Sequence, residues 1–201
     1  MQQDAQDVIQ IPIFPLNTVV FPGGVLPLRV FEQRYIEMTK RCIRDSTPFG
    51  VCLIRAGQEV GEPARPHETG CLATIVSWDM PQLGIFFLVT QGGQRLRILE
   101  QWTQPDRLRM ADVALLPEED SQPVPEEHAV CADLLRAVAG RAGESNFPAP
   151  MRYDDAVWVG YRLAEVLPLE NALRQQLLEM PDAILRLELL TTVLAQQGLA
   201  T

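Results

Sequence analysis

Prolines and glycines interrupt residues 11–36 (IPIFPLNTVVFPGGVLPLRVFEQRYI) so often that only short elements fit there. Proline fixes φ and has no backbone N–H, so it is confined to strand ends, sheet edges and turns. The glycine pair at 23–24 gives the backbone the freedom that a tight bend needs. The stretch therefore predicts a strand near Ile11–Phe14, a turn, a second strand at Val25–Val30, and then a helix.

The predicted helix is amphipathic. Its large apolar residues recur at steps of four, three and four, which places them on one helical face. They are Phe31, Tyr35, Met38 and Cys42. Because Pro48 follows shortly afterwards, the helix is predicted to run over Phe31–Arg44.

Strands dominate the next part of the chain. Runs rich in β-branched and aromatic residues, bounded by turn residues, are typical of strands. They lie at Phe49–Arg55, Gly70–Asp79, Leu83–Gln91, Gln94–Thr103 and Arg107–Leu116. The glycine pair at 92–93 stands between two of these runs and predicts a two-residue hairpin turn.

A boundary is predicted at 117–127 (PEEDSQPVPEE), which is acidic and rich in proline, as interdomain linkers tend to be. Its carboxylates are expected to be solvated. Beyond it the apolar period changes from two to about 3.6, which predicts four helices, two of them starting at Pro168 and Pro181. The predicted organisation is a tail at 1–8, a β-rich domain at 9–116, a linker at 117–127 and an α-helical bundle at 128–201.

Five short motifs carry a family resemblance by their order along the chain. They are PLNTVVFPG at 15–23, FEQRY at 31–35, FGV at 49–51, TGCLA at 69–73 and GGQR at 92–95. This order resembles the N-terminal substrate-recognition domain of Lon proteases in its free-standing form. The resemblance implies an α+β protein: a β-rich, PUA-like, partly closed barrel with one or two helices, followed by a C-terminal α-helical bundle.

The function implied by the resemblance is recognition without catalysis. Such a module binds exposed apolar segments of unfolded or extended polypeptides, and delivers these clients to an ATP-dependent protease or regulates one. The chain has no G-x-x-x-x-G-K-[ST] loop for a nucleoside triphosphate, and its single Lys, Lys40, lies on the predicted helix surface. We therefore predict that the protein is not an enzyme.

Charge and cysteine spacing exclude further classes. A net charge of −9 with one Lys disfavours nucleic acid, which is held by clustered Lys and Arg. Four cysteines without paired spacing predict inert buried thiols, and neither a metal nor a cofactor is expected. An acidic N-terminus (MQQDAQDVIQ) unlike a signal peptide, and no apolar run long enough to cross a bilayer, predict a cytoplasmic protein without membrane contact.

Two alternatives stay open at this point. The first is a small-ligand-binding protein or hydrolase-type enzyme with a pocket near His67 and Cys71, a pair that would need hydrogen-bond reach and a third orienting group. The second is RNA binding through the PUA-like barrel, which the negative charge disfavours.

Four residues are candidates for contact with a polypeptide, because exposed apolar patches mark partner sites. Phe21 lies in an apolar but turn-like segment, Trp78 and Met80 flank a predicted turn, and Trp102 ends a predicted strand. Burial in the core is the alternative for each of them, above all for Phe21.

Overall fold

Residues 8–198 are described in the computed structural model, and they contain seven strands. The strands are β1 (Val8–Leu16), β2 (Val25–Val30), β3 (Phe49–Ala56), β4 (Arg65–Pro66), β5 (Thr69–Gln82), β6 (Ile85–Thr103) and β7 (Arg109–Leu115). The tail predicted at 1–8 lies outside the described residues except for Val8, which begins β1.

Five α-helices accompany the strands within residues 8–198. They are α1 (Gln33–Asp45), α2 (Ala129–Ala142), α3 (Ala156–Val166), α4 (Asn171–Glu179) and α5 (Ala183–Gln196). Contacts divide the chain into two units, with the division between Pro117 and Glu118, so that α1 belongs to the β-rich unit and the other four helices to the helical unit. We propose that the units correspond to the two predicted domains.

The strands of the first unit form a closed circuit. β1 pairs with β7, β7 with β6, β6 with β5 and β5 with β3, all antiparallel, and β3 returns to β1 as a parallel pair. β2 and the two-residue strand β4 lie outside this circuit, each pairing with a single strand. A β-rich, partly closed barrel with one helix, followed by helices, confirms the fold predicted from the resemblance.

Helix α1 covers one side of this core, as its apolar spacing predicted. Tyr35, Met38 and Cys42 are buried in a cluster that also contains Phe14 and Phe49. The predicted start at Phe31 is wrong by two residues. Glu32 has extended backbone angles and precedes the first helical residue, so Phe31 lies outside the helix and is 49% exposed.

The hairpin predicted at Gly92-Gly93 is wrong, because β6 continues straight through both glycines. The turn lies at Leu83-Gly84, where Gly84 has a φ of 81°. Gly92 instead permits a close approach of two backbones: its N–H donates to the Gly24 carbonyl at 2.8 Å, and a Cβ at Gly92 would lie 2.2 Å from the Phe21 oxygen. Glycine within a strand marks such an approach.

In the helical unit, carboxylate caps mark the starts of α3 and α5. Asp155 accepts a hydrogen bond from the Val157 N–H at the start of α3. The predicted helix starts at Pro168 and Pro181 are wrong. α5 begins after Asp182, whose carboxylate accepts from the Ile184 and Leu185 N–H groups; Pro181 therefore precedes the cap.

The start of α4 also differs from the prediction. Glu170 keeps extended backbone angles, and the helix begins only at Asn171, three residues after Pro168. Helix α3 packs against α2, α4 and α5. Three leucines of α5, Leu187, Leu190 and Leu194, are all fully buried.

Not every carboxylate of the predicted linker is solvated. The Glu119 side chain is 7% exposed and accepts from Arg186, which is itself fully buried, at 2.7 and 2.9 Å. The linker prediction was wrong here because composition cannot show that a buried guanidinium requires a counter-ion. The segment containing Glu119 also bonds to the start of α3 through Gln122 and Val124.

All four cysteines are free and buried, in agreement with the predicted inert thiols. Burial raises the pKa of the Cys52 thiol to about 12 and also raises the pKa values of Cys42 and Cys131. Because the thiolate is the reactive form, we expect none of the four to react with Ellman's reagent at pH 8 in the native protein, and all to react in guanidinium chloride. Rapid labelling of the native protein would contradict this prediction.

Candidate functional site

A groove of about 320 Å³ opens on the surface of the β-rich unit. Its walls come from the end of β1, most of β2, the start of α1 and the loop that follows β3. Most of the lining side chains are apolar: Phe14, Leu16, Leu26, Leu28, Val30, Phe31, Tyr35 and Val60. Such an apolar concavity is the usual form of a binding site.

Alternation along β2 explains the apolar wall. Leu26, Leu28 and Val30 share one face of the strand, since successive side chains point to opposite faces. Leu26 and Leu28 are only partly buried against the core, and Val30 is fully buried. Two residues at the mouth are more open: Phe31 is 49% and Val60 54% exposed. These half-exposed groups leave apolar surface for a partner.

The floor of the groove is aromatic. The Tyr35 ring stacks on Phe14 with 4.0 Å between ring centroids and 19° between the planes. Burial raises the pKa of Tyr35, so its hydroxyl stays protonated at neutral pH. The stacked rings offer a large apolar surface to the side chains of a ligand.

Two carboxylates lie at the rim, and each is already engaged within the chain. Glu32 pairs with the buried Arg34 at 2.9 Å, and Glu59 accepts from the Asn17 backbone N–H. Both carboxylates therefore have partners within the chain.

Further apolar side chains are exposed on the β5–β6 hairpin: Val76 (55% exposed), Trp78 (52%), Met80 (39%), Leu83 (90%), Phe87 (46%) and Val89 (36%). They do not share one face. Trp78 is paired with the buried Leu88 and packs on Phe86, whereas Phe87 and Val89 alternate with those residues along β6 and point to the opposite face. We call Trp78 and Met80, which are two positions apart on β5 and share a face, the hairpin surface; exposed apolar side chains that adjoin one another are typical of interaction sites.

The model of the ATP-dependent protease La (LON) substrate-binding domain matches residues 10–196. The chain belongs to this family. The match confirms the resemblance seen in the sequence motifs, and it extends that resemblance from the β-rich unit through the helical unit.

Solved structures agree with this assignment. The chain is similar to the Lon N-terminal domain protein from Xanthomonas campestris, with a TM-score of 0.76, 32% identity, and coverage of 90% of this chain and 96% of that one. It shares its fold with the N-terminal domain of the Mycobacterium avium complex Lon protease at a TM-score of 0.63 and 20% identity, over 92% of this chain and 97% of that one.

Curated relatives are longer proteins. Lon protease 2 of Myxococcus xanthus is 40% identical over 98 residues, which are 47% of this chain and 12% of that protein. Lon protease 2 of Herpetosiphon aurantiacus is 26% identical over 200 residues, 96% of this chain and 24% of that protein. The chain therefore spans a quarter or less of these relatives, and it contains the Lon substrate-binding domain without a Lon ATPase or protease domain.

Within this Lon substrate-binding domain, the four predicted contact residues do not form one site, and none lines the groove. Phe21 is fully buried, so its side chain is unavailable to a partner. Trp102 is partly buried on β6, opposite Met110. Trp78 and Met80 belong to the hairpin surface, where Trp78 packs on Phe86 with ring centroids 5.9 Å apart.

Sequence reasoning missed the groove residues for an identifiable reason. Phe31 fitted the apolar face of α1, and Leu26 and Leu28 fitted an ordinary strand alternation. One available signal lay just before the helix. An apolar residue that precedes the N-cap often packs beside the first turn without belonging to the helix, and Phe31 directly precedes the N-cap Glu32.

The alternative pocket near His67 and Cys71 is not supported. Cys71 is fully buried in β5, and its thiol donates to the Gly93 carbonyl at 2.9 Å, so it is not offered to a substrate. His67 donates its backbone N–H to the Leu53 carbonyl. Within residues 8–198, no group of three or more His, Cys, Asp or Glu is placed to hold a metal ion.

Among the described helices, none has the length and apolar character required to traverse a membrane.

Proposed function

We propose that this Lon-family chain is a recognition module that binds exposed apolar segments of polypeptides in the groove between β2 and α1. The observation that carries the proposal is an apolar groove with half-exposed walls in a domain whose family is described as substrate-binding. The groove offers contact surface and no reactive group, which suits binding of many sequences rather than a chemical reaction.

The size of the groove sets the expected affinity. Burying one Leu, Val or Phe side chain contributes about 1.5–3 kcal/mol, and two such side chains about 3–6 kcal/mol. A gross contribution of about 6 kcal/mol corresponds to a dissociation constant of about 40 μM before the losses of association are subtracted, so the expected binding is weak. Weak binding allows clients to be sampled and released.

The hairpin surface is proposed as a second contact for longer chains. An unfolded polypeptide that occupies the groove can also touch Trp78 and Met80, and two weak contacts on one chain raise the effective affinity. Short peptides would use the groove alone.

The proposal extends to proteolysis through the relatives. Since matched relatives are named Lon protease, we propose that the chain delivers clients to an ATP-dependent protease or regulates one. The predicted cytoplasmic location stays a prediction. RNA binding receives no support, because acidic and basic residues nearly balance in the β-rich unit and the helical unit carries most of the negative charge.

Paired double variants test the two surfaces. Phe31→Ser with Val60→Ser is expected to weaken binding of reduced, carboxymethylated α-lactalbumin by about tenfold, because two apolar contacts are lost. Trp78→Thr with Met80→Thr is expected to weaken it about two- to threefold. Fluorescence anisotropy measures both affinities, and circular dichroism checks that each variant is folded.

These variants also serve as controls for each other, since both remove two exposed apolar side chains. Unchanged binding in the groove variant would refute the groove as the site. A larger effect in the hairpin variant would move the site to the hairpin surface.

A further inference from the structure

We infer that the groove receives its polypeptide as an added β-strand along the free edge of β2, an inference that rests on the proposed function. Strand addition to an open sheet edge is an established mode of peptide recognition. In this mode, main-chain hydrogen bonds supply affinity, and alternate side chains of the peptide supply specificity.

One edge of β2 is unpaired among residues 8–198. Among the described strands, only β6 pairs with β2. Two hydrogen bonds fix which residues face β6: the Gly24 carbonyl accepts from the Gly92 N–H at 2.8 Å, and the Leu26 carbonyl accepts from the Thr90 hydroxyl at 2.9 Å. Backbone groups of alternate residues point to the same edge.

Val25, Pro27 and Arg29 therefore direct their backbone groups to the open edge. Pro27 supports this orientation, because proline lacks an N–H and is tolerated in a sheet only where that position faces away from a partner strand. The open edge thus offers two N–H donors, from Val25 and Arg29, and three carbonyl acceptors. Pro27 leaves one gap in the row of donors.

The groove lies along this same edge. β2 contributes every residue from Leu26 to Val30 to its lining, and Pro27 and Arg29, whose side chains belong to the other face, line it too. A strand added here would place alternate side chains over Phe14, Tyr35 and Val60. The intervening side chains would lie beside the exposed Val25.

The open backbone edge of β2 and the apolar groove along it together define the class of ligand. β2 has six residues, so the ligand is an extended segment of about five or six residues with apolar side chains at alternate positions. A helical segment does not fit, because its backbone groups are already bonded within the helix. The open backbone edge is thus the feature that selects an extended client.

N-methylated peptides test the inference without altering the protein. The probe is a fluorescein-labelled peptide with the core Leu-Ser-Val-Ser-Leu, in which the Ser N–H groups point to one edge and the Leu and Val N–H groups to the other. An antiparallel addition brings the Ser set toward β2, and a parallel addition brings the apolar set. If the peptide adds antiparallel, methylating the Ser N–H groups is expected to weaken binding at least about tenfold, and methylating the Leu and Val N–H groups less than about threefold. If it adds parallel, the two effects are exchanged.

Equal losses for the two methylated sets would overturn strand addition. If the groove-dependent capture of carboxymethylated α-lactalbumin persists in that case, the proposed function stands and only the binding mode is wrong. If neither that protein nor the unmethylated peptide binds, the proposed function fails as well.

Variants of the edge give an independent readout. Pro27→Val adds the missing N–H and is expected to tighten peptide binding about three- to tenfold. Val25→Pro removes a donor and is expected to weaken binding about tenfold, with Val25→Thr, which keeps the N–H, as the matched control. Circular dichroism verifies folding of all three variants.

Sedimentation velocity tests whether a second copy of the chain occupies the open edge of β2. A dimer of the native chain that Val25→Pro converts to monomers would show that a second copy pairs at β2, which would overturn the inference. A native monomer whose peptide affinity rises with Pro27→Val supports it.

Discussion

Glu119→Gln is expected to destabilise the helical unit by about 3–5 kcal/mol, the usual consequence of removing one partner from a buried ion pair. Arg186 is fully buried and its guanidinium lies over the Tyr161 ring, with Cζ 3.9 Å from the centroid. Glutamine keeps the size of the side chain but removes the counter-charge. Urea unfolding followed by the helical circular dichroism signal measures the change.

The neighbouring residue provides the control. Glu118 carries the same charge one position earlier and is exposed, so Glu118→Gln is expected to change stability by less than about 0.5 kcal/mol. Equal effects of the two variants would show that Arg186 does not depend on Glu119 for its charge balance.

The remaining hydrogen bonds of Arg186 explain why a charge is retained in this core. Its Nε donates to the Leu177 carbonyl at 3.1 Å and one terminal nitrogen donates to the Met180 carbonyl at 2.7 Å. These carbonyls lie at the end of α4, where helix carbonyls have no partner within the helix. Arg186 thus joins α5 to the end of α4, and Glu119 balances the charge that this connection requires.

Local patterns predicted the elements of this protein well. The boundaries of β2 follow directly from the glycine pair before it and the helix after it, and the Asp155 cap marks the start of α3. Both depend on neighbours within a few residues. Features of this kind are encoded in short stretches of sequence, so they can be inferred without knowledge of the tertiary fold.

The groove could not be predicted in the same way. It forms where β1, β2, α1 and the loop after β3 meet, and the lining residues Phe14 and Val60 are 46 positions apart in the sequence. Whether a leucine such as Leu28 ends in the core or at a groove wall depends on which distant element covers it. Apolar spacing identifies which face of a strand or helix is apolar, but not which distant element packs on that face.

The same limit explains the outcome for the predicted contact residues. Phe21 was expected in a turn-like segment, and it does lie in one, but its side chain is fully buried and its carbonyl oxygen lies close to Gly92. Trp78 stayed exposed because β5 extends past its pairing with β3, leaving that part of the strand paired with β6 alone. In both cases the exposure depends on residues that are distant in the sequence.

The two glycines of β6 illustrate how one dipeptide can satisfy two different patterns. A Gly-Gly pair between strand-like runs is typical of a hairpin turn, yet the same pair also suits a strand that another backbone crosses closely. The register between β5 and β6 shifts at this point, between the pairs Cys71–Arg95 and Ala73–Gly92. An irregularity at this position fits a bulge and not a turn.

Gly92→Ala is therefore expected to destabilise the β-rich unit by about 3 kcal/mol or more, at or above the upper end of the usual penalty for overpacking. The new Cβ would lie 2.2 Å from the Phe21 carbonyl oxygen and 2.9 Å from Val20 Cγ1, and a backbone atom cannot move aside as a flexible side chain can. Gly93→Ala is the matched control, because its Cβ would meet Leu72 Cβ at an ordinary 3.4 Å. Urea unfolding measured by tryptophan fluorescence compares the two variants; equal stabilities would show that Gly92 is not required for the close approach of β6 to the Phe21 segment.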